Sequence, residues 1–230
     1  NHSKYLKQSI ESIQNQTHDN LDICVVDDGS SDIELVREIV NHAKENDDRI
    51  RFIELESNVG KWFALNKAIE TTSAQICTSH DADDISLPER IGMQLRCMAF
   101  NKSVHNLCGF HHCYEEDDVK RLLKEEHKFT NPKQIPHAGV AKFVLSGANA
   151  PNINHYFTGN FETAGVSAMF LKNLWSIGLR FNPPNSGLRT LLSEDSDFNF
   201  RATMMFAKTS VLAEKLYLYR RFTSTNQEQF

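Results

Sequence analysis

Residues 22–32 read Asp22-Ile23-Cys24-Val25-Val26-Asp27-Asp28-Gly29-Ser30-Ser31-Asp32. The apolar, β-branched run predicts a strand over 22–28, and Gly29 permits a sharp turn after it. Ser31 and Glu34 stand at capping-box spacing before Leu35, Val36, Ile39 and Val40, so a helix is expected to begin near Asp32. A capped turn accounts for Gly29, Ser31 and Asp32. It does not account for Asp27 and Asp28, two adjacent carboxylates that are costly to bury without a partner.

The same alternation extends to both sides. Upstream, Leu6, Ile10 and Ile13 recur at helical spacing, predicting a helix over 3–16. Downstream, 49–56 reads as a strand, Val59-Gly60 leads into a helix carrying Leu65, Ala68 and Ile69, and 74–80 reads as a third strand. Ser86 and Glu89 repeat the capping box, with Pro88 in the first turn of a helix to about Phe100. Strands alternating with helices imply an α/β fold, a Rossmann-like, mostly parallel sheet flanked by helices. Ligands in such sheets bind beyond the carboxyl ends of the strands.

The second half is less regular and reads as a smaller mixed region. Residues 106–114 are expected to form a strand and 119–127 a charged amphipathic stretch, with an extended loop over 128–160. Helical spacing returns at 195–206, capped by Ser193, and 211–219 reads as one or two short strands.

Composition narrows the classes. The chain has 230 residues, 40% hydrophobic and 24% charged, with net charge −5. That is one globular domain without the basic footprint of a nucleic-acid binder. No apolar stretch approaches the roughly 18 residues of a membrane span, which leaves only peripheral membrane association open. Nothing at the start resembles a signal peptide, and Asn1-His2-Ser3-Lys4 opens without Met, so an upstream segment is expected. Cys24, Cys77, Cys97, Cys108 and Cys113 form an odd, scattered set, read as reduced thiols of a cytoplasmic protein. Cys108 and Cys113 flank His111-His112, but no second ligand pair follows at zinc-finger spacing, so the strand reading is preferred to zinc.

Two further acidic clusters follow Asp27-Asp28. Asp81-Ala82-Asp83-Asp84 offers oxygen ligands suited to a hard divalent cation, Mn²⁺ or Mg²⁺, beside substrate phosphates. An EF-hand is excluded because its glycine and distal glutamate are missing. Glu194-Asp195 opens a helix, where the dipole favours carboxylates; alone, this pair is equally well an ordinary helix-end stabiliser.

Taken in order, the clusters resemble the inverting family 2 glycosyltransferases of the GT-A fold. The pattern there is D-D-G-S-x-D, then N-x-G-x-x-x-A-R-N, then D-x-D-D with P-x-R/K, then E-D before a helix. The matching stretches are 27–32, 58–66, 81–90 and 194–195, and Tyr219-Arg220-Arg221 resembles the closing Y-R segment. The resemblance implies a metal-dependent transfer from a UDP-sugar to a hydroxyl of a glycan or other acceptor. The enzyme would be a hexosyl- or N-acetylhexosaminyltransferase of polysaccharide biosynthesis. Asp27, Asp28, Ser30, Asn58, Lys61, Asp81 and Ala82 would bind the donor. Asp83, with Asp81, would hold the metal. Asp195 would be the general base, with Glu194 beside it. Residues 1–104 would form the nucleotide-sugar half and 105–230 the acceptor and base half of the same domain.

Three departures from the pattern stand out. The family's first strand is not in this chain, Leu65 replaces the arginine of A-R-N with Lys61 as the stand-in charge, and Phe222 falls where some members carry a metal-binding histidine. Trp62 is read as either pocket or core, Trp175 as core, and Tyr156 as a sugar-stacking candidate. His111, His112, His155 and Arg189 are read as ordinary polar residues. The alternatives are a sugar-1-phosphate nucleotidyltransferase and a non-catalytic nucleotide- or glycan-binding domain.

Overall fold

Leu6, Ile10, Val36 and Val40 sit on the facing stripes of two amphipathic helices, and their burial begins the fold. The computed structural model describes residues 2–125, 165–183, 194–206 and 208–223. The first helices are α1, Ser3–Gln14, and α2, Ile33–Asn46. They pack with Ile23 of β1, Ile23–Asp27, and Ile50 of β2, Ile50–Glu54, which pair in parallel. After α3, Lys61–Thr71, come β3, Ile76–Thr78, and β4, Ile85–Ser86. Then follow α4, Arg90–Asn101, β5, His105–Cys113, and α5, Glu116–Lys124. The remaining elements are β6, Met169–Leu171, α6, Lys172–Ser176, α7, Glu194–Phe206, and β7, Thr209–Arg220.

A five-stranded sheet runs β3-β6-β5-β7-β4. The α/β class stands, with mixed pairing inside it: β5–β7 and β1–β2 are parallel, and the β3–β6, β6–β5 and β7–β4 pairs are antiparallel. Strands from residues 76–86 and from residues 105–220 therefore share one sheet. The stretch expected as one or two short strands is a single strand of 12 residues. A register shift opposite Gly109 lets it bend without ending.

Neither capping box forms. The N-cap of α2 is Asp32, which makes no side-chain cap; its carboxylate instead accepts a hydrogen bond from the Ser3 hydroxyl of α1. The N-cap of α4 is Glu89, so Pro88 lies outside the helix, and Ser86 belongs to β4, where its hydroxyl accepts from Arg90 Nη1 at 2.8 Å. At Asp32 a tertiary partner takes the carboxylate, and at Ser86 the hydroxyl is taken by Arg90, four residues on. Cys108 and Cys113 lie in β5, as the strand reading expects, and all five cysteines are free. The expected loop over 128–160, with His155 and Tyr156, and also Arg189 and Ser193, lie outside the described residues. Among the described residues no helix is long and apolar enough to cross a membrane.

Candidate active site

Two loops meet beyond the carboxyl end of β1. Asp27 Oδ2 accepts from the amides of Gly29 and Ser30, both at 3.0 Å, which turns the chain sharply. Asp28 reaches across to the next loop, where its two oxygens accept from the Val59 and Gly60 amides at 2.8 Å each. Gly29 has φ +72, and a Cβ there would lie 2.5 Å from the Asn58 amide nitrogen. Glycine is required twice over, by the left-handed backbone and by the close approach. Asn58 is exposed on this paired loop and Ser30 is half-buried.

The second cluster is held from three directions. Ser9 of α1 donates to the Asp81 carbonyl at 3.0 Å, and the Asp81 amide donates to the Tyr217 hydroxyl at 3.1 Å. The Arg220 amide donates to Asp84 Oδ1 at 2.9 Å, while its guanidinium donates to the Asp83 carbonyl and to Gln8. Ala82 is exposed at the tip of the turn. Asp84 is fully buried; burial first, then the charges of Asp81 and Asp83, push its carboxyl well above the usual carboxylate range.

Lys61 joins the clusters. It opens α3 and its Nζ lies 2.6 Å from Asp81 Oδ1. Burial opposes the ammonium charge, but the carboxylates of Asp81, Asp195 and Glu194 outweigh it and raise its pKa. Glu194 and Asp195 start α7, and Asp195 Oδ1 accepts from the Ser196 amide at 2.8 Å. Gly165 lies against Asp195: a Cβ there would come within 2.6 Å of Oδ2. The structure thus brings Lys61, Asp81, Asp83, Glu194 and Asp195 into one electrostatic neighbourhood, with Asp27 and Asp28 bracing the adjoining loop pair. Leu65 packs against the apolar core of α3, β6, α6 and α7 and offers no charge. Trp62 and Trp175 pack against that core too, and Trp175 Nε1 donates to Asn66 at 2.9 Å.

Two residues support the site in ways the sequence did not show. Arg90 is fully buried without a carboxylate partner and donates to Gln94, Ser86, Thr78 and the Ser79 carbonyl, directly below the Asp81 turn. Tyr217 reads as an ordinary strand aromatic. Arg90 closes the P-x-R segment, but its spacing does not show that it is buried, and Tyr217 meets Asp81 from 136 residues away.

A divalent cation fits the acidic turn. Asp81, Asp83 and Asp84 each offer an oxygen within 4.8 Å of the others, and Asp84 Oδ2 is buried without a hydrogen-bond partner. An all-oxygen cluster with one orphaned buried atom matches a hard ion. Asp84 is an addition to the expected pair of Asp81 and Asp83.

The family model described as glycosyl transferase family 2 matches residues 1–170. The chain belongs to this family. An uncharacterized glycosyltransferase of Methanocaldococcus jannaschii is 34% identical over 133 residues, 57% of this chain and 46% of that one. The family 2 chain therefore spans about half the length of that relative. The crystal structure of S. aureus TarS 1-349 in complex with UDP-GlcNAc matches with TM-score 0.67 at 16% identity, covering 100% of this chain and 58% of that one. A Pyrobaculum calidifontis mannosyltransferase in complex with GDP-Man and Mn²⁺ matches with TM-score 0.59 at 17% identity, over 99% of this chain and 55% of that one. These likenesses establish the GT-A fold of this family 2 chain.

Proposed function

We propose that this chain carries the donor and base machinery of an inverting, metal-dependent glycosyltransferase that uses a UDP-sugar. The observation that supports it most is the position of Lys61, which pairs with Asp81 at 2.6 Å under the charges of Asp195 and Glu194. Two acidic clusters far apart in sequence thereby face one ammonium. The UDP- and GDP-sugar complexes of the two structural neighbours support a nucleotide-sugar donor, and the Mn²⁺ in one of them supports a divalent ion.

In this reading Asp195 accepts the proton of an acceptor hydroxyl. The hydroxyl oxygen attacks the anomeric carbon on the face opposite the departing nucleoside diphosphate, which inverts the configuration. Glu194 orients the acceptor or the sugar. Asp27 and Asp28 shape the base and ribose site, with Ser30, Asn58 and Ala82 on its rim. Lys61 moves from Asp81 towards the diphosphate, supplying the charge that Leu65 lacks. Asp83 with Asp81 would hold a divalent cation, which would supply positive charge against the charge developing on the leaving group. Residues 1–104 serve the donor and 105–230 the acceptor and base. The five free cysteines favour a reducing, cytoplasmic compartment.

The test combines a UDP-sugar screen with Asp195→Asn. A UDP-sugar at 100 times its Kd should stabilise the fold by roughly 2.7 kcal/mol when Mn²⁺ is present. Asp195→Asn should keep that stabilisation and lose roughly 10²–10⁴-fold in transfer. Equal loss of binding and transfer would remove Asp195 from the role of base. Pyrophosphate release from UTP and a sugar phosphate would replace the reading with nucleotidyl transfer. Binding without transfer or hydrolysis would leave a binding domain.

A further inference from the structure

The cation reading leaves one open question, which protein group joins the carboxylates, and α1 bears on it. His2 is the N-cap of α1, yet its side chain makes no cap hydrogen bond. The imidazole is turned to the acidic turn instead, with Nδ1 3.4 Å from Asp83 Oδ2. Two donors that share one ion at about 2.1 Å each, at an angle between right and tetrahedral, lie roughly 3.0–3.4 Å apart. The observed separation falls at the upper end of that range.

The start of α1 is not a loose end. Ser3 donates to Asp32, Ser9 donates to the Asp81 carbonyl at 3.0 Å, and Ser12 Oγ accepts from the Ser86 amide at 3.1 Å. Tyr5 lies beneath the Arg220 guanidinium, 4.7 Å from its centroid, and meets Phe222 edge-on at 6.1 Å. These contacts tie the helix to Asp81 and to Ser86, on either side of the acidic turn, and so hold the backbone that carries His2. On the other flank Phe222 packs its ring against Tyr5 and offers no ligand atom. Asp81 is engaged by Lys61, and Asp84 is buried. Asp83 keeps 15% side-chain exposure and His2 36%, and the Thr223 hydroxyl donates to the same Asp83 Oδ2 that faces His2.

We propose that His2 Nδ1 is a ligand of the divalent cation held at Asp83, which makes the centre a mixed nitrogen–oxygen site selective for Mn²⁺ over Mg²⁺. The inference rests on the reading that the Asp81–Asp84 turn holds a cation. Asp83 supplies the carboxylate, with the neighbouring Asp81 and Asp84 oxygens behind it. Imidazole suits transition ions, whereas Mg²⁺ demands oxygen and keeps its waters. His2 would thereby supply the nitrogen that Phe222 cannot.

The experiment is pulsed electron paramagnetic resonance on the whole chain loaded with Mn²⁺ and UDP, with Mn²⁺ and Mg²⁺ titrations alongside. The wild type should show imidazole nitrogen modulation of the Mn²⁺ signal. His2→Ala and His2→Gln should both lose it, with Mn²⁺ bound at least about tenfold more weakly and Mg²⁺ nearly unchanged. Asp83→Asn should abolish binding of either ion. Absence of nitrogen modulation in the wild type, or its survival in either His2 variant, overturns the inference even if Asp83→Asn still removes the metal. Unchanged metal binding in Asp83→Asn would instead overturn the cation reading itself. Thermal melting of the His2 variants controls for folding, and the wild-type spectrum decides the matter if they unfold.

Discussion

Asp28 and Asp195 are carboxylates on the same rim, and their surroundings give them different work. Asp195 sits at a helix start, and its Oδ2 lies so close to Gly165 that a side chain there would clash. Asp28 has both oxygens on backbone amides 31 and 32 residues away. Its adjacency to Asp27 was visible in the sequence; its role as a brace was not, because those partners follow only from tertiary contact. Asp28→Ala strands two amides whose bonds to a charged acceptor are worth about 1.5–3 kcal/mol each, less where water can reach them. We expect a lower urea midpoint and weaker UDP binding. An unchanged midpoint would mean that the two loops are joined by Gly29's close approach alone. Gly29→Ala should also destabilise, by about 1–3 kcal/mol for the left-handed backbone with the contact to Asn58 added, read as a fall in the same midpoint.

At the scale of elements, the segment around the acidic turn and helix α7 are each anchored by a buried polar group. Arg90 anchors the turn from α4. His105 on β5 anchors α7: its Nε2 lies 3.0 Å from Asn199 Oδ1 and its Nδ1 3.1 Å from the Thr209 hydroxyl. Asn199 Nδ2 donates to the Gly165 carbonyl at 2.9 Å, so Oδ1 is left to accept and the imidazole carries its proton on Nε2. Burial holds His105 neutral and lowers its pKa to about 4. The folded value lies below the unfolded one, so this stability is complete above about pH 6.5 and is lost as pH falls towards 4. The full span is roughly 3 kcal/mol by that linkage. His105→Gln should flatten the pH dependence of the urea midpoint between pH 6.5 and 4 and weaken the protein at pH 7. A wild-type-like slope in the variant would assign the acid loss to carboxylates elsewhere. The strand containing His105 was legible from its apolar run, but the use of that histidine was not, since its partners lie 94 and 104 residues away.

Across the whole molecule, β5 and β7 run side by side from His105 to Cys113 with neighbours on both flanks. The β1–β2 pair forms a separate two-stranded sheet among the described residues. Cooperative opening follows how much packing an element shares. Amides of β5 and β7 should therefore exchange at the global unfolding rate, and those of β1 and β2 faster; equal protection in hydrogen exchange would contradict this. UDP should slow exchange most in the 27–30 and 58–60 loops, because they are joined through Asp28 and Gly29.

Periodicity and spacing in the sequence determined the α/β class, the order of the four helices and first three strands in the first hundred residues, and the three acidic clusters, but not β4. These are local properties, set by which side chains alternate and which residues permit a turn. Tertiary structure alone decided the pairing directions, the diversion of Asp32 from the cap of α2, the meeting of the second and third clusters at Lys61 and the approach of His2 to Asp83. Each of those depends on which distant group reaches a backbone or carboxylate first, and a buried polar group takes whichever partner the packing of the whole chain brings to it.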